Sequence, residues 1–475
     1  VPKGIIKIQD FAGGLVTVQP AHRIPDNASP SMQNVDVSTE TGTLIKRKGI
    51  AIEFTEKVVV ANPFVAGLFE YVQADGDKFI LCAADDDVFN VTGAGTYTSI
   101  FTSGTMNGAE TNFTTFDDLA IFGNTNITTQ KWTGAGASSA LLGTPPSNVK
   151  YIVVHRSRAF AANSSAGTSR LHYSSLDNPE NWTATGDTGA GFIDIAPEDG
   201  DVITGISPMG PYLLVFKQNS TFILRGYKPS NFVVQQLSSN IGCLSNRSIV
   251  KADAFVIFLS KSGVFTVSIN GLTLVSFNIK QTIEDIASSG VAAGRLKTQY
   301  WLAYDSDADT KNDSAYVLDY VTGIWTKYSN INVRVFLTKQ DGTFLSGGSD
   351  KVIIRKHDTT DNDEGSAITM TWESKSLDFS DWAKDKQLDI IYLFTEGLTG
   401  KNLLVDTIIN GKDQADQQTF SLTPATGEDK VFDSVDFKQS SQGRLIRIKL
   451  TNNETSARVR VYGIEVHAEV WEHQD

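Results

Sequence analysis

The chain has 475 residues, 40% hydrophobic and 10% aromatic, with 39 glycines, 13 prolines and two cysteines. That is the composition of an ordinary globular protein, and the length exceeds the ~250–300 residues at which one core stops growing, so two or more units are expected. A formal net charge of −13 excludes a broad surface that grips nucleic acid, because such affinity comes from lysine and arginine releasing counterions; an acidic conduit past which nucleic acid slides stays compatible.

Cys82 and Cys243 each follow apolar neighbours and read as buried free thiols, too few for a disulfide framework or a zinc site. The opening VPKGIIKIQDF lacks an apolar leader segment, and no apolar run approaches ~18 residues. Neither a signal peptide nor a membrane span is expected, and synthesis in a cytoplasm is.

Residues 1–60 read as an extended arm with edge strands. Gly13-Gly14, Pro20, Pro25 and Pro30 leave few helix signals, so this segment gains order only by lying on something. That surface is either a neighbouring copy or another part of the same chain. Lys46-Arg47-Lys48 is the sole compact basic run. It reads as a charged edge that resists aggregation or as a contact for an acidic neighbouring subunit.

A repeat governs residues 61–357. Tyr212–Leu224 (YLLVFKQNSTFIL) aligns with Phe255–Val267 (FVIFLSKSGVFTV) and Phe79–Val91 (FILCAADDDVFNV). Each has five apolar-rich residues, a polar four-residue reversal, and a second strand with phenylalanine at the eleventh place: Phe222, Phe265 and Phe89. Thr343–Arg355 is a weaker copy with Ile353 there. Runs of branched and aromatic residues around turn residues are hairpins. Extending them gives modules starting near Phe64, Thr111, Val149, Val202, Ser248, Ala292 and Val333, a period of ~40–50 residues that leaves room for four strands each. The expected fold is all-β: a β-propeller of seven blades, with six as the other count, whose radial packing leaves only short edges. A set of unrelated hairpins in sandwiches is the competing arrangement. Thr43–Phe54 is the candidate strand to close the ring, and Gln281–Ser289 the main helical passage.

Residues 358–366, which open with DTTDNDEG (Asp358–Gly365), form a polar, acidic linker. From 367 to 475 longer strands alternate apolar with polar residues, as in RLIRIKL, and predict a C-terminal β-sandwich.

Chemistry is sparse. The histidines His22, His155, His172, His357, His467 and His473 are scattered, with no metal-ligand spacing. Asp305, Asp307 and Asp309 are spaced like the front half of a calcium loop, but Thr310 stands where glycine is needed, Lys311 follows, and Tyr316 replaces the closing glutamate. A solvated connecting loop is the expectation, with adventitious calcium the alternative. Asp85, Asp86 and Asp87 cluster in a hairpin turn, where aspartate serves the backbone. No nucleophile elbow, phosphate loop or dinucleotide fingerprint is present. No cofactor and no enzymatic role are expected.

Several passages carry a resemblance: Phe11–Leu15 (FAGGL), Ile24–Ser29 (IPDNAS), Gln33–Asp36 (QNVD), Gly42–Gly49 (GTLIKRKG), then SRLHYS from Ser169, NPENW from Asn178, LVFK from Leu214 and GCLSNRSI from Gly242. Over residues 5–355 the chain resembles the tail nozzle, or tail hub, proteins of short-tailed bacteriophages. The resemblance implies a structural virion protein forming a ring, of six copies by expectation, that docks under the tail adaptor protein. It would continue and gate the DNA ejection channel, pass the genome without sequence-specific binding, and meet tail fibres or tailspikes. Such a virion protein is assembled in the host cytoplasm. Interface candidates are Phe11, Gly13, Gly14, Lys46, Arg47 and Lys48. The alternatives are a carbohydrate- or receptor-binding virion protein, with Trp182, Trp325 or Trp372 as stacking platforms, and a glycan-degrading propeller enzyme.

Overall fold

The thirteen-residue units fold as antiparallel pairs, and each pair forms the middle two strands of a four-stranded meander. The computed structural model describes residues 3–37, 39–59, 61–286, 290–414, 416–437 and 442–471. Among these residues there are seven four-stranded sheets. Their first strands begin at Val65, Asn112, Tyr151, Ile203, Val250, Ala292 and Val335, within two residues of every module start read from the sequence. Each first strand touches the first strand of the next sheet, and Val335–Thr338 returns to Val65–Val72, which closes a seven-bladed propeller. The repeated eleventh residue has one function: Phe89, Phe222, Phe265 and Ile353 are all buried, and the three phenylalanines sit in the apolar layers between blades.

The closing strand is Ile50–Lys57, paired antiparallel with Val352–His357 as the outermost strand of blade 7. The expected span, Thr43–Phe54, is thus divided. Its first part, Leu44–Lys46, belongs to the sandwich, where it pairs with Arg460 and Val461. Gly49 marks the crossing. A Cβ there would lie 1.9 Å from the Asn362 carbonyl oxygen, so only glycine lets the chain pass this close to the 358–366 segment. That segment is a hydrogen-bonded corner: Gly49 N–H donates to Thr360 O and Ile50 N–H to Asn362 O.

Helix is confined to short pieces among the described residues, including Lys280–Glu284 after a 3-10 turn at Phe277–Ile279. The end of the expected helical passage, residues 287–289, lies outside the described residues, as does His473.

Two sheets form the sandwich. One orders Lys430–Asp436, Asp385–Glu396, Arg460–Trp471, Leu44–Lys46 and Val35–Asp36, with Lys3–Ile8 also paired to Arg460–Trp471. The other orders Lys412–Asp413, Asn402–Ile409, Ile446–Asn452, Met370–Glu373 and Met32–Gln33. The N-terminal 1–60 segment therefore supplies strands to both sandwich sheets and to blade 7, and is no separate arm. One apolar core runs from Leu388, Leu393, Leu450 and Val466 of the sandwich, through Phe11, Leu15 and Val35, into Ile257, Tyr300 and Trp325 of blades 5 and 6.

Candidate functional site

The six interface candidates fall in the seam between propeller and sandwich. Phe11 is buried edge-on against Trp372, with ring centroids 5.2 Å apart. Gly13 abuts Asn27 and Ala28, and Gly14, at φ +62°, is pressed against Ile324 and Trp325 so closely that a Cβ would stand 2.6 Å from Ile324 Cγ2. Val16 N–H donates to Ser29 O, and Thr17 and Val18 N–H both donate to Asn278 O, which pins the passage along blade 5. Of the two open readings of this segment, the intramolecular one holds for these residues.

The basic run is also internal. Arg47 is 2% exposed; its guanidinium takes both oxygens of buried Asp363 at 3.0 and 2.6 Å, Asn34 Oδ1 at 2.8 Å and Ser329 O at 2.8 Å. Asn34 in turn donates to Ser329 Oγ and Thr369 O, so one polar knot joins the arm, blade 6 and the sandwich entry. Lys46 is fully buried, donating to Asn452 Oδ1 and Glu454 O, and burial pushes its ammonium down to about 8. These contacts correct the sequence expectation: Phe11, Gly13, Gly14, Lys46 and Arg47 face the chain's own interior and are not direct contacts for a neighbour. By sequence this strand reads as a sheet edge, but Leu44–Lys46 is paired on both sides, with Arg460–Val461 and with Val35–Asp36, and Lys46 turns into the sandwich. Lys48, by contrast, is half-buried and reaches Asp358 at 3.9 Å.

The propeller axis is closed by polar side chains. Arg247, entering blade 5, donates to Arg334 O of blade 7 at 2.8 Å and to Ala66 O of blade 1, and stands 3.5 Å from Glu110. Asn246 donates to Asn112 Oδ1 of blade 2 at 3.0 Å. Arg334 lies over the Phe64 ring at 4.8 Å. A cavity of about 200 Å³ remains, lined by Phe69, Phe113, Glu110 and Arg247 among others. Arg247 and Asn246 belong to the GCLSNRSI passage, whose part in the fold the sequence did not disclose. LVFK supplies Lys217, fully buried, which donates to Ile195 O and Ala196 O and pairs with Asp199.

The aspartates Asp305, Asp307 and Asp309 do come together, with ligand oxygens within 4.8 Å of one another. Asp305, however, already accepts the amides of Asp307, Ala308, Asp309 and Thr310, and Lys311 pairs with Asp309 at 3.2 Å. This set falls short of the six to eight oxygens a calcium site takes. In the other acidic turn, Asp85 accepts from Ala61 and Asn62, Asp86 from Asn107, and Asp87 from Ser99. Each carboxylate there fastens a loop. Of the three tryptophans, Trp325 and Trp372 are 1% exposed, which removes them as stacking platforms, while Trp182 is half-buried and donates to Pro179 O.

What the sequence did not single out is an aromatic cluster on the outer face of the sandwich. Tyr392, Phe394, Phe432 and Tyr462 meet there, with Phe432 69% exposed, beside a notch of about 400 Å³ that Lys7, Gln9, Gly463 and Glu465 also line. The signal was present in strand alternation: Tyr392 and Phe394 occupy outward positions opposite the inward Ile391 and Leu393.

No family model matches the chain, and no curated protein matches it in sequence. Solved structures with similar folds include the extracellular domain of the hybrid two-component system BT4673 from B. thetaiotaomicron, at 10% identity and TM-score 0.47, covering 81% of this chain and 47% of that one. The Neurospora crassa Pan2 WD40 domain matches at 11% identity and TM-score 0.42, covering 66% of this chain and 96% of that domain. PorZ of Porphyromonas gingivalis, a surface component of the type-IX secretion system, matches at 12% identity and TM-score 0.39, over 81% of this chain and 46% of PorZ. The chain spans about half the length of the first and third of these. At such scores none carries an argument, and the propeller rests on its own strand order.

Proposed function

We propose that this chain is a structural subunit of a bacteriophage tail, one copy of a distal ring that continues the DNA ejection channel. The observation that carries the reading is where the resembling passages lie. FAGGL, QNVD and GTLIKRKG line the seam between the two domains, LVFK anchors blade 4, and GCLSNRSI plugs the propeller axis. The passages that carry the resemblance would thus make one rigid block, as a ring under the pressure of ejected DNA requires, and this supports reading the role as architectural.

With its axis plugged, a single propeller offers duplex DNA no passage. The channel would run instead along the axis of a ring of copies, six by the resemblance, through contacts in which one surface of each subunit fits a different surface of the next. A net charge of −13 suits walls past which DNA slides without adhering. Tail adaptor and fibre or tailspike proteins would dock on the outer surfaces that the seam leaves free.

Negative-stain electron microscopy of the purified protein, alone and with its tail adaptor, tests this. Rings with a central hole wide enough for duplex DNA are expected. A particle that stays monomeric in both preparations overturns the proposal.

A further inference from the structure

The outer face of the first sandwich sheet can be read row by row from its register. Phe432 lies opposite Phe394, and Phe394 opposite Gly463. The next row holds Ser434, Tyr392, Glu465 and Lys7, and the next Asp436, Ile390, His467 and Ile5. Between Phe394 and Thr395 the register slips, and the extra residue in the partner strand is Tyr462. A bulge of this kind re-aims a side chain. Here it places Tyr462 next to Gly463 on the outer face, 5.2 Å from the Phe394 ring, while Lys430 caps Tyr462 at 4.6 Å.

The result is a notch with aromatic walls and a floor left bare by glycine. Tyr392 and Phe432 stand nearly parallel, 12° apart in plane with centroids separated by 5.9 Å. Along one rim Lys7 meets Glu465 at 2.8 Å, and His467 Nε2 lies 2.7 Å from the same carboxylate. On the far side of Phe394, Arg460 holds Glu396 at 2.7 Å. These contacts hold donors and acceptors at fixed positions, and Lys430, over the Phe394 and Tyr462 rings, is the cation set apart from them.

We infer that this notch is a binding site for a neutral saccharide, one or two pyranose rings of a surface glycan. A pyranose presents an apolar face of C–H bonds and an equator of hydroxyls. The face suits the rings of Tyr392, Phe394, Phe432 and Tyr462; the hydroxyls suit Lys7, Gln9 and Glu465, which are donor, donor-acceptor and acceptor. The volume of about 400 Å³ lies in the range of small-ligand pockets, at roughly 300–1,000 Å³. Charge argues against a strongly charged ligand, since Lys7 and Arg460 are paired with Glu465 and Glu396, and the remaining cation, Lys430, lies over the rings of Phe394 and Tyr462. Size argues against a second copy of the chain: a cluster of four rings ringed by ion pairs is far smaller than the roughly 800 Å² per partner that a stable protein interface buries.

The test uses the full chain, whether monomeric or in rings, so it stands apart from the ring proposal. The protein is applied to a printed array of neutral and acidic bacterial polysaccharides, and maltohexaose, chitohexaose and isomaltohexaose are titrated calorimetrically. Binding to at least one neutral glycan is expected, weakened about tenfold by Phe432→Ala and by Tyr462→Ala, retained by Phe432→Trp, and untouched by Trp382→Ala on another loop. Phe432 is largely exposed, so its variants keep the wild-type melting temperature. An array blank for neutral glycans overturns the inference. So does binding confined to acidic glycans, binding that survives both alanine variants, or self-association of the chain that Phe432→Ala abolishes.

Discussion

The propeller and the seam beneath it are held together by different physics. Between blades the contacts are apolar and repeated: Phe89, Phe222 and Phe265 do the same task three times, each within a hairpin whose strands are a few residues apart. In the seam the decisive contacts are polar, made once, and distant in sequence. Arg47 and Asp363 are 316 residues apart, and just inside the sandwich Lys46 and Asn452 are 406 apart. Truncating one phenylalanine of an apolar layer leaves a cavity that its neighbours can partly fill. A single buried charge has no substitute, since removing its partner leaves an ion without water or counter-charge.

The strongest way to break that contrast is Arg47→Met. It removes the counter-charge of buried Asp363, leaving that carboxylate only the Asn330 amide at 3.3 Å, while Asn34 Oδ1 keeps the Ser329 N–H; it should destabilise the fold by about 3–5 kcal/mol, read as a fall in the urea midpoint. Arg47→Met with Asp363→Leu should recover a large part of the loss, because the uncompensated charge is gone. If the single variant costs under about 1 kcal/mol, the seam is held by its apolar core alone.

Acid gives the second contrast. His357 is enclosed by Trp301, Phe336 and Phe344 with its Nε2 2.7 Å from Ser346 Oγ. Burial, with Arg47 and Arg355 adding repulsion, pushes its pKa down to about 3; His155 and His172, also in the propeller, are pushed by burial to about 4. In each case the unfolded chain binds the proton more readily than the native one between the depressed pKa and about 6.5, so stability falls as pH drops through that window. For His357 alone the loss reaches about 2 kcal/mol at pH 5. The propeller should therefore melt earlier in acid than at pH 7, and His357→Phe should flatten the dependence. A wild-type melting temperature that is level from pH 7 to 5 would refute the assignment of neutral, caged histidines.

The same contrast explains what could be read from the sequence. Blade starts were legible because a meander writes its strands consecutively, so period and turn chemistry suffice; the closing strand was legible only in part, since the expected Thr43–Phe54 takes in Ile50–Phe54 of it but also Leu44–Lys46 of the sandwich. The interior fate of Lys46 and Arg47 was not legible. A basic triplet on a strand reads as exposed, and nothing local announces Asp363 or Asn452 as its partners. The linker reads as polar for the same reason: Asp363 looks solvated until the arm is laid across it. Tyr462 was hidden by the bulge, which breaks the alternation that would have assigned its face.

The smallest effect is the most diagnostic for the basic triplet. Lys48 is one bond of backbone away from Arg47, carries the same charge, and approaches Asp358 at 3.9 Å with both side chains about a third exposed. In that setting solvent screens the attraction, and ordering two flexible side chains offsets the remainder, so Lys48→Ala should change stability by no more than about 0.5–1 kcal/mol. The ratio between neighbours, several-fold for one residue step, measures how sharply burial rises across the seam. Should Lys48→Ala leave the monomer's stability alone but weaken ring formation, then the one member of the triplet that faces solvent would also be the one that meets a neighbouring subunit.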